Sequence, residues 1–303
     1  MPISFKSLLI AGCLLLQALP AQAKLQVFTC EPEWKALVED LGGKQVQAFS
    51  ATNAFQDPHF IEARPSLIVK MRKADLVVCT GADLEIGWLP LLLKRSTNAQ
   101  VQPGQPGHFL AADFVSTLEV PHTHDRSMGD IHAAGNPHIH LDPWRMMLIA
   151  KQLKNRLEQL DPKHAQFYQE RYDLFFDQWY QQLSQWEQQI QVLKGRAYFV
   201  QHRNWSYLFD WLKLKEVADL EPKPGIPPSS SHLAGLLKKV QHSQAEGILI
   251  ANYQNSQGAR WLSQKSQLPV FELPFTVGGS EQADSLIGLY QNIIDRLLAG
   301  QGQ

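Results

Sequence analysis

One stretch constrains the chain more than any other. Between Asp161 and Gly195 the apolar side chains Tyr168, Tyr172, Phe175, Trp179, Leu183, Trp186, Ile190 and Leu193 recur at steps of three and four. That spacing lines them along one stripe of a long helix. The stripe also suits a coiled coil, but a single such helix inside an α/β chain packs along both flanking lobes and acts as a rigid spine.

On either side of the spine, strand and helix signals alternate. Before it, apolar runs at 25–30, 45–50, 75–79 and 108–114 are separated by helical patterns at 31–41, 65–73 and 84–93, with Pro90 a possible break in the last. After it, runs at 196–201, 216–220, 247–253 and 268–273 alternate with helices at 204–214, 232–241 and 259–267, and a helix at 281–298 closes the chain. Such alternation predicts parallel βαβ units. The expected fold class is therefore α/β, two Rossmann-like lobes with parallel sheets joined by one long spine helix. The boundaries fall at 24–142 for the N-terminal lobe, 143–195 for the helical linker including the spine and 196–303 for the C-terminal lobe, and 303 residues suffice for two real cores.

Residues 1–23 stand outside that fold. Lys6 precedes an apolar run from Leu8 to Leu19, then Pro20 and Ala21-Gln22-Ala23. A basic start, a short apolar stretch and small residues before the break read as a cleaved signal peptide. Ile10-Ala11-Gly12-Cys13 offers a second reading, a lipoprotein anchored at Cys13, but the chain stays apolar beyond it. Both readings export the protein, the first to the periplasm. The formal net charge is −1, so there is no basic surplus for nucleic acid. Cleavage after Ala23 leaves two cysteines, Cys30 and Cys79. In an oxidising compartment an even pair suggests a disulfide, the alternative being two buried thiols.

Three of the eleven histidines carry the chemistry. His59 in Asp57-Pro58-His59, His138 in Asn136-Pro137-His138 and His202 in Gln201-His202 all follow expected strands or lie in the loops after them. Open parallel sheets gather ligands at the carboxyl ends of their strands. Each histidine alone reads as a solvated loop residue. Three at equivalent places read as a zinc site with one position open, because neutral imidazole suits Zn²⁺.

The segments 56–66 and 73–78, with Asn136-Pro137-His138-Ile139-His140-Leu141-Asp142-Pro143, Gln201-His202 and the spine, together resemble the zinc- and manganese-binding proteins of ABC importers. The resemblance spans nearly the whole mature chain. It implies a periplasmic carrier, not an enzyme, that captures Zn²⁺ as its transported ligand and hands it to a membrane permease. It gives the ligand role to His59, His138 and His202, with His140 a possible substitute for His138. Histidine rather than a carboxylate at the third place implies zinc. The family's fourth ligand, an aspartate near the last strand, is missing, which leaves Glu272 or water. The loop holding His122, His124 and His132 resembles a reduced histidine-rich capture loop, or is a plain polar surface loop. The usual strand order of such lobes sets the first and third strands side by side and favours a Cys30–Cys79 bridge. A monomer is expected. The rivals are a manganese or iron carrier of the same fold and an exported metallohydrolase, although no His-Glu-x-x-His pair is present.

Overall fold

The computed structural model describes residues 24–121 and 132–300. The signal-peptide segment, His122 and His124 lie outside these residues.

The first lobe carries β1 (Leu25–Thr29), β2 (Val46–Ser50), β3 (Leu76–Cys79) and β4 (His108–Leu110), in the order β2-β1-β3-β4, all parallel. Helices α1 (Pro32–Gly42), α2 (Pro65–Arg72) and α3 (Leu89–Ser96) connect them. Then come α4 (Pro143–Leu160) and α5 (Ala165–Gln189). The second lobe repeats the plan with β5 (Ala197–Val200), α6 (Ser206–Leu212), β6 (Lys215–Asp219), α7 (Ser230–Gln241), β7 (Ala245–Ala251), α8 (Gln257–Ser266), β8 (Val270–Leu273) and α9 (Leu286–Leu298). Its sheet order is β6-β5-β7-β8, again parallel.

Strand alternation distributes the core. Val27 and Val78 face a central cluster while Phe28 and Val77 face an outer one. In the second lobe Tyr198, Val200 and Leu249 face the same central cluster, and Phe199, Ile248 and Ile250 face the other way. Both faces of each sheet are thus covered, which is why these strands read as unbroken apolar runs. The central cluster is continuous through both lobes, and the stripe of α5 lies in it. Trp179 and Trp186 are fully buried. Their indole N–H groups donate to Pro143 O at 3.0 Å and Gln291 Oε1 at 2.9 Å.

Some elements start or stop away from the places expected of them. The spine is α5 proper, flanked by 3₁₀ turns at Pro162–His164 and Ile190–Leu193. Pro90 does not break a helix: it sits in the first turn of α3, where its missing N–H costs nothing. The fourth strand ends at Leu110 and passes into a 3₁₀ turn, Ala111–Phe114. Because β1 and β3 are neighbours, Cys30 and Cys79 stand 4.8 Å apart at Cα and are joined as a disulfide. Gly107, at the start of β4, has no room for a side chain: a Cβ there would lie 2.5 Å from Gln100 O and 2.6 Å from Asp75 O. Both are backbone atoms that cannot rotate away. Gly107→Ala is expected to cost about 1–3 kcal/mol, read as a lower urea midpoint at unchanged slope.

Candidate metal centre

The two Pro-His tripeptides build their histidines in the same way. In Asp57-Pro58-His59 the Asp57 Oδ1 accepts both the His59 backbone N–H at 3.0 Å and the ring Nδ1–H at 2.7 Å. In Asn136-Pro137-His138 the Asn136 Oδ1 accepts the same two groups at 3.0 and 2.8 Å. His202 follows β5, and its Nδ1 meets Glu221 Oε2, just beyond β6, at 2.7 Å. Every one of these acceptors lacks a hydrogen to give. Each ring therefore carries its proton on Nδ1 and turns an Nε2 lone pair inward.

One ring nitrogen from each of His59, His138 and His202 lies within 4.8 Å of the other two. The His59 and His202 side chains are 9% and 11% exposed, so the trio sits at the floor of a cleft. His138 is buried, and its Nε2 has no partner. Burial, followed by the charges of the neighbouring imidazoles, pushes the His138 pKa well below the usual range. That ring stays a neutral donor deep into acid. For Asp57, burial works to raise the carboxyl, but the hydrogen bonds and charge of His59 outweigh it and hold the group below its usual value. The orienting carboxylate therefore stays ionised. Asp57, Asn136 and Glu221 are the residues that reading for ligands overlooked. The Asx two places before each Pro-His histidine was the available signal.

His132, the last histidine of the loop, stands against His59 at the edge of this trio, outside the 4.8 Å cluster itself. Its Nε2 stands 3.2 Å from His59 Nε2, and burial together with the charges of His59 and His202 pushes its pKa down to about 4. The loop's two ends are pinned together. Thr117 Oγ1–H donates to Ala134 O at 2.6 Å, and the Asn136 N–H donates to Leu118 O at 2.8 Å. They are pinned to the second lobe as well. The Leu118 N–H donates to Tyr207 Oη at 2.9 Å, and Asn136 Nδ2 donates to Arg203 O at 2.7 Å. Asn136 thus orients a ring of one lobe while holding the other lobe.

Glu272 and His140 are not brought into the trio. Along β8, Phe271 and Leu273 turn inward, so the two-residue period sends Glu272 out to solvent. There it borders a separate recess with Arg260 and Arg296. The residue delivered to the centre from the end of β8 is Phe275, whose ring packs 5.6 Å from that of His138. His140 is buried, its Nε2–H donating to Phe275 O at 3.0 Å. Its Nδ1 lies 3.4 Å from Glu33 Oε1, outside hydrogen-bonding geometry. This ring staples the lobes, as do Glu33, which accepts from Thr276 Oγ1–H, and Asn252, which donates to Ala54 O. A second close group, Cys30, Cys79 and Glu85, offers no thiolates because its sulfurs are bonded to each other.

Two parallel α/β lobes, a spine across both and inward-facing imidazoles between them define a metal-binding component of an ABC importer, a non-enzymatic substrate-binding protein. Residues 27–300 match the family model "Zinc-uptake complex component A periplasmic", and the chain belongs to that family. Its fold is similar to a crystal structure of ZnuA, with a TM-score of 0.75 at 19% identity over 93% of this chain and 100% of that one. It is also similar to a Cd-bound periplasmic metal binding protein from candidatus liberibacter asiaticus, with a TM-score of 0.73 at 16% identity over 91% and 99%. Among curated relatives, the manganese ABC transporter substrate-binding lipoprotein PsaA of Streptococcus pneumoniae is 20% identical over 91% of this chain and 89% of that protein. The metal ABC transporter substrate-binding lipoprotein SloC of Streptococcus mutans is 27% identical over 56% of this chain and 55% of its own length.

Proposed function

We propose that the chain is an exported carrier, periplasmic after removal of residues 1–23, that captures Zn²⁺ as a monomer through His59, His138 and His202. It then delivers the ion to the membrane permease of an ABC importer. The observation that supports this most is the locking of all three Nδ1–H groups by acceptors, which leaves three Nε2 donors facing one point. Three imidazoles with oriented rings match zinc, whereas manganese favours carboxylate oxygens. Among the described residues, Asp57 and Glu221, the carboxylates that touch these rings, are committed to orienting them, which favours a carrier over a hydrolase.

His132 replaces Glu272 in this proposal as the fourth donor. Adjacent nitrogens of a tetrahedral zinc shell stand roughly 3.3 Å apart, and the His59–His132 separation of 3.2 Å fits one edge of it. His122 and His124 are assigned the role of a weaker capture arm leading to that donor. Metal analysis of natively purified protein, followed by competition against a zinc chelator, tests the reading. One zinc per chain is expected, and manganese or iron in its place would overturn the metal assignment. His132→Ala is expected to keep one zinc and weaken it by roughly tenfold, since water takes the vacated position. Unchanged affinity would remove His132 from the shell.

A further inference from the structure

The two lobes meet beside the zinc site in two different ways. Through the core the apolar cluster runs across both lobes, and the staples Glu33–Thr276 and His140–Phe275 are buried. Beside the trio lies a cavity of about 560 Å³ with His132, His138 and His202 in its wall. Glu119 of the first lobe and Arg203 of the second line the same cavity, and their side chains are 35% and 50% exposed. Solvent therefore reaches this contact, whereas the two staples are sealed from it.

Glu119 is the centre of the contact. Its Oε2 accepts from Asn136 Nδ2 at 2.9 Å, and its Oε1 accepts from Ser206 Oγ–H at 3.0 Å and stands 3.6 Å from Arg203 Nη2. Ser206 and Arg203 belong to the second lobe, at the start of α6. Arg203 is held in turn by β6, with its Nε 3.5 Å from Glu216 Oε1 and 3.6 Å from Asp219 Oδ2. The Glu119 backbone has a φ of 55°, in the left-handed region that a glutamate seldom takes. Such a conformation persists where its surroundings hold it, and two of the three partners of this carboxylate lie on the other lobe. None of these groups is one of the zinc donors. Glu119 bears on the trio through Asn136, whose Oδ1 accepts the His138 Nδ1–H.

We infer that Glu119 is a latch: its carboxylate clasps the second lobe beside the zinc site, and breaking that clasp is the step that lets the ion pass in either direction. The inference rests on the zinc reading above and adds to it a residue that sets how long the ion stays rather than how tightly it is held. Hydrogen bonds to an ionised carboxylate are stronger than neutral ones, so the clasp slows opening. Because solvent can take over those bonds as they break, the clasp opens without unpacking the apolar core.

Stopped-flow release of zinc from the loaded full chain into a chromophoric chelator tests it, with capture rate and competition affinity measured on the same preparations. Glu119→Asn keeps a residue that tolerates the left-handed backbone but is too short and uncharged to hold the clasp. It should release zinc about tenfold faster or more, the effect of losing a hydrogen bond to a charged group. Capture should quicken as well, which leaves affinity within about threefold of the parent. Glu119→Gln keeps the length without the charge and should fall between the two. Ser206→Ala removes a donor from the opposite lobe and should also speed release, and it carries the test if Glu119→Asn does not fold. Equal release rates for the parent and these variants overturn the inference. So does an affinity loss as large as the gain in release rate, which would make Glu119 only a support for the His138 ring. A parent without one tightly held zinc overturns the zinc reading instead.

Discussion

Replacing His138 with alanine is expected to weaken zinc binding by more than about a hundredfold, the largest effect of any single change in the centre. Loss of an orienting partner of a zinc ligand costs about 10–100-fold, and loss of the ligand must exceed that. His138 is singled out because it is the most buried of the trio, and burial with the neighbouring imidazoles holds its pKa well below the usual range. It gives a lone pair without first having to release a proton. His59→Ala and His202→Ala should follow closely behind. Asp57→Ala should fall in the lower range, since it frees the His59 ring to turn without removing it. Competition titration against a chromophoric chelator ranks these variants. A His138→Ala protein that still binds one zinc as tightly as its parent would place the site elsewhere.

Much of this arrangement was legible because it is local. The strand-helix alternation and the stripe of α5 are periodic, and the Asx-Pro-His tripeptides carry each histidine and its orienting group within three residues. What could not be read depends on long-range placement. Glu221 reaches His202 only because β5 and β6 pair in parallel, and no spacing in the sequence announces that contact. Glu272 looked suitable because it lies near the end of β8, but a one-residue difference in phase decides which side of a strand a residue takes. His132 looked like one member of a polar loop. Its position near His59 follows from the pinning of Thr117 and Asn136, and from the Ala133 N–H donating to Asp83 Oδ2 at 3.1 Å. The start of α3 was missed because Pro90 suits a helix's first turn as well as its end.

Two acids lie buried beside the disulfide, and their protonation is testable. Glu31 follows Cys30 and is buried, as is Glu85. Glu85 Oε1 accepts the Thr80 N–H at 2.7 Å and its Oε2 accepts the Gly81 N–H at 3.0 Å, which suits an ionised carboxylate. Glu31 Oε2 accepts from Thr80 Oγ1–H at 3.2 Å, while its other oxygen has no partner in hydrogen-bond range. Burial, reinforced by the charge of Glu85, raises the Glu31 pKa well above normal, and burial raises that of Glu85 to about 7 despite its backbone donors. The folded pair therefore keeps a proton at neutral pH, and Glu31 is the member that holds it.

The sign follows from linkage. Unfolded, both carboxyls lose their protons near ~4.3; folded, they keep them to higher pH. Between those limits this pair binds more protons in the native state than in the unfolded one, so its contribution to stability falls as pH rises from about 4.3 towards about 7. Glu216, raised to about 8, and Asp40, raised to about 6, act with the same sign, while the depressed His132 and His138 act with the opposite one, so the profile alone does not isolate the pair. Glu31→Gln does isolate it, because the amide keeps the shape of the protonated acid and carries no charge at any pH. This variant is expected to be more stable than its parent at pH 8, where the parent must keep or lose a buried proton, and to differ little from it at pH 4.5. Urea unfolding of metal-free protein at the two pH values measures the difference. A variant less stable than its parent at pH 8 would mean that Glu31 is ionised in the core and that the proton has been assigned wrongly.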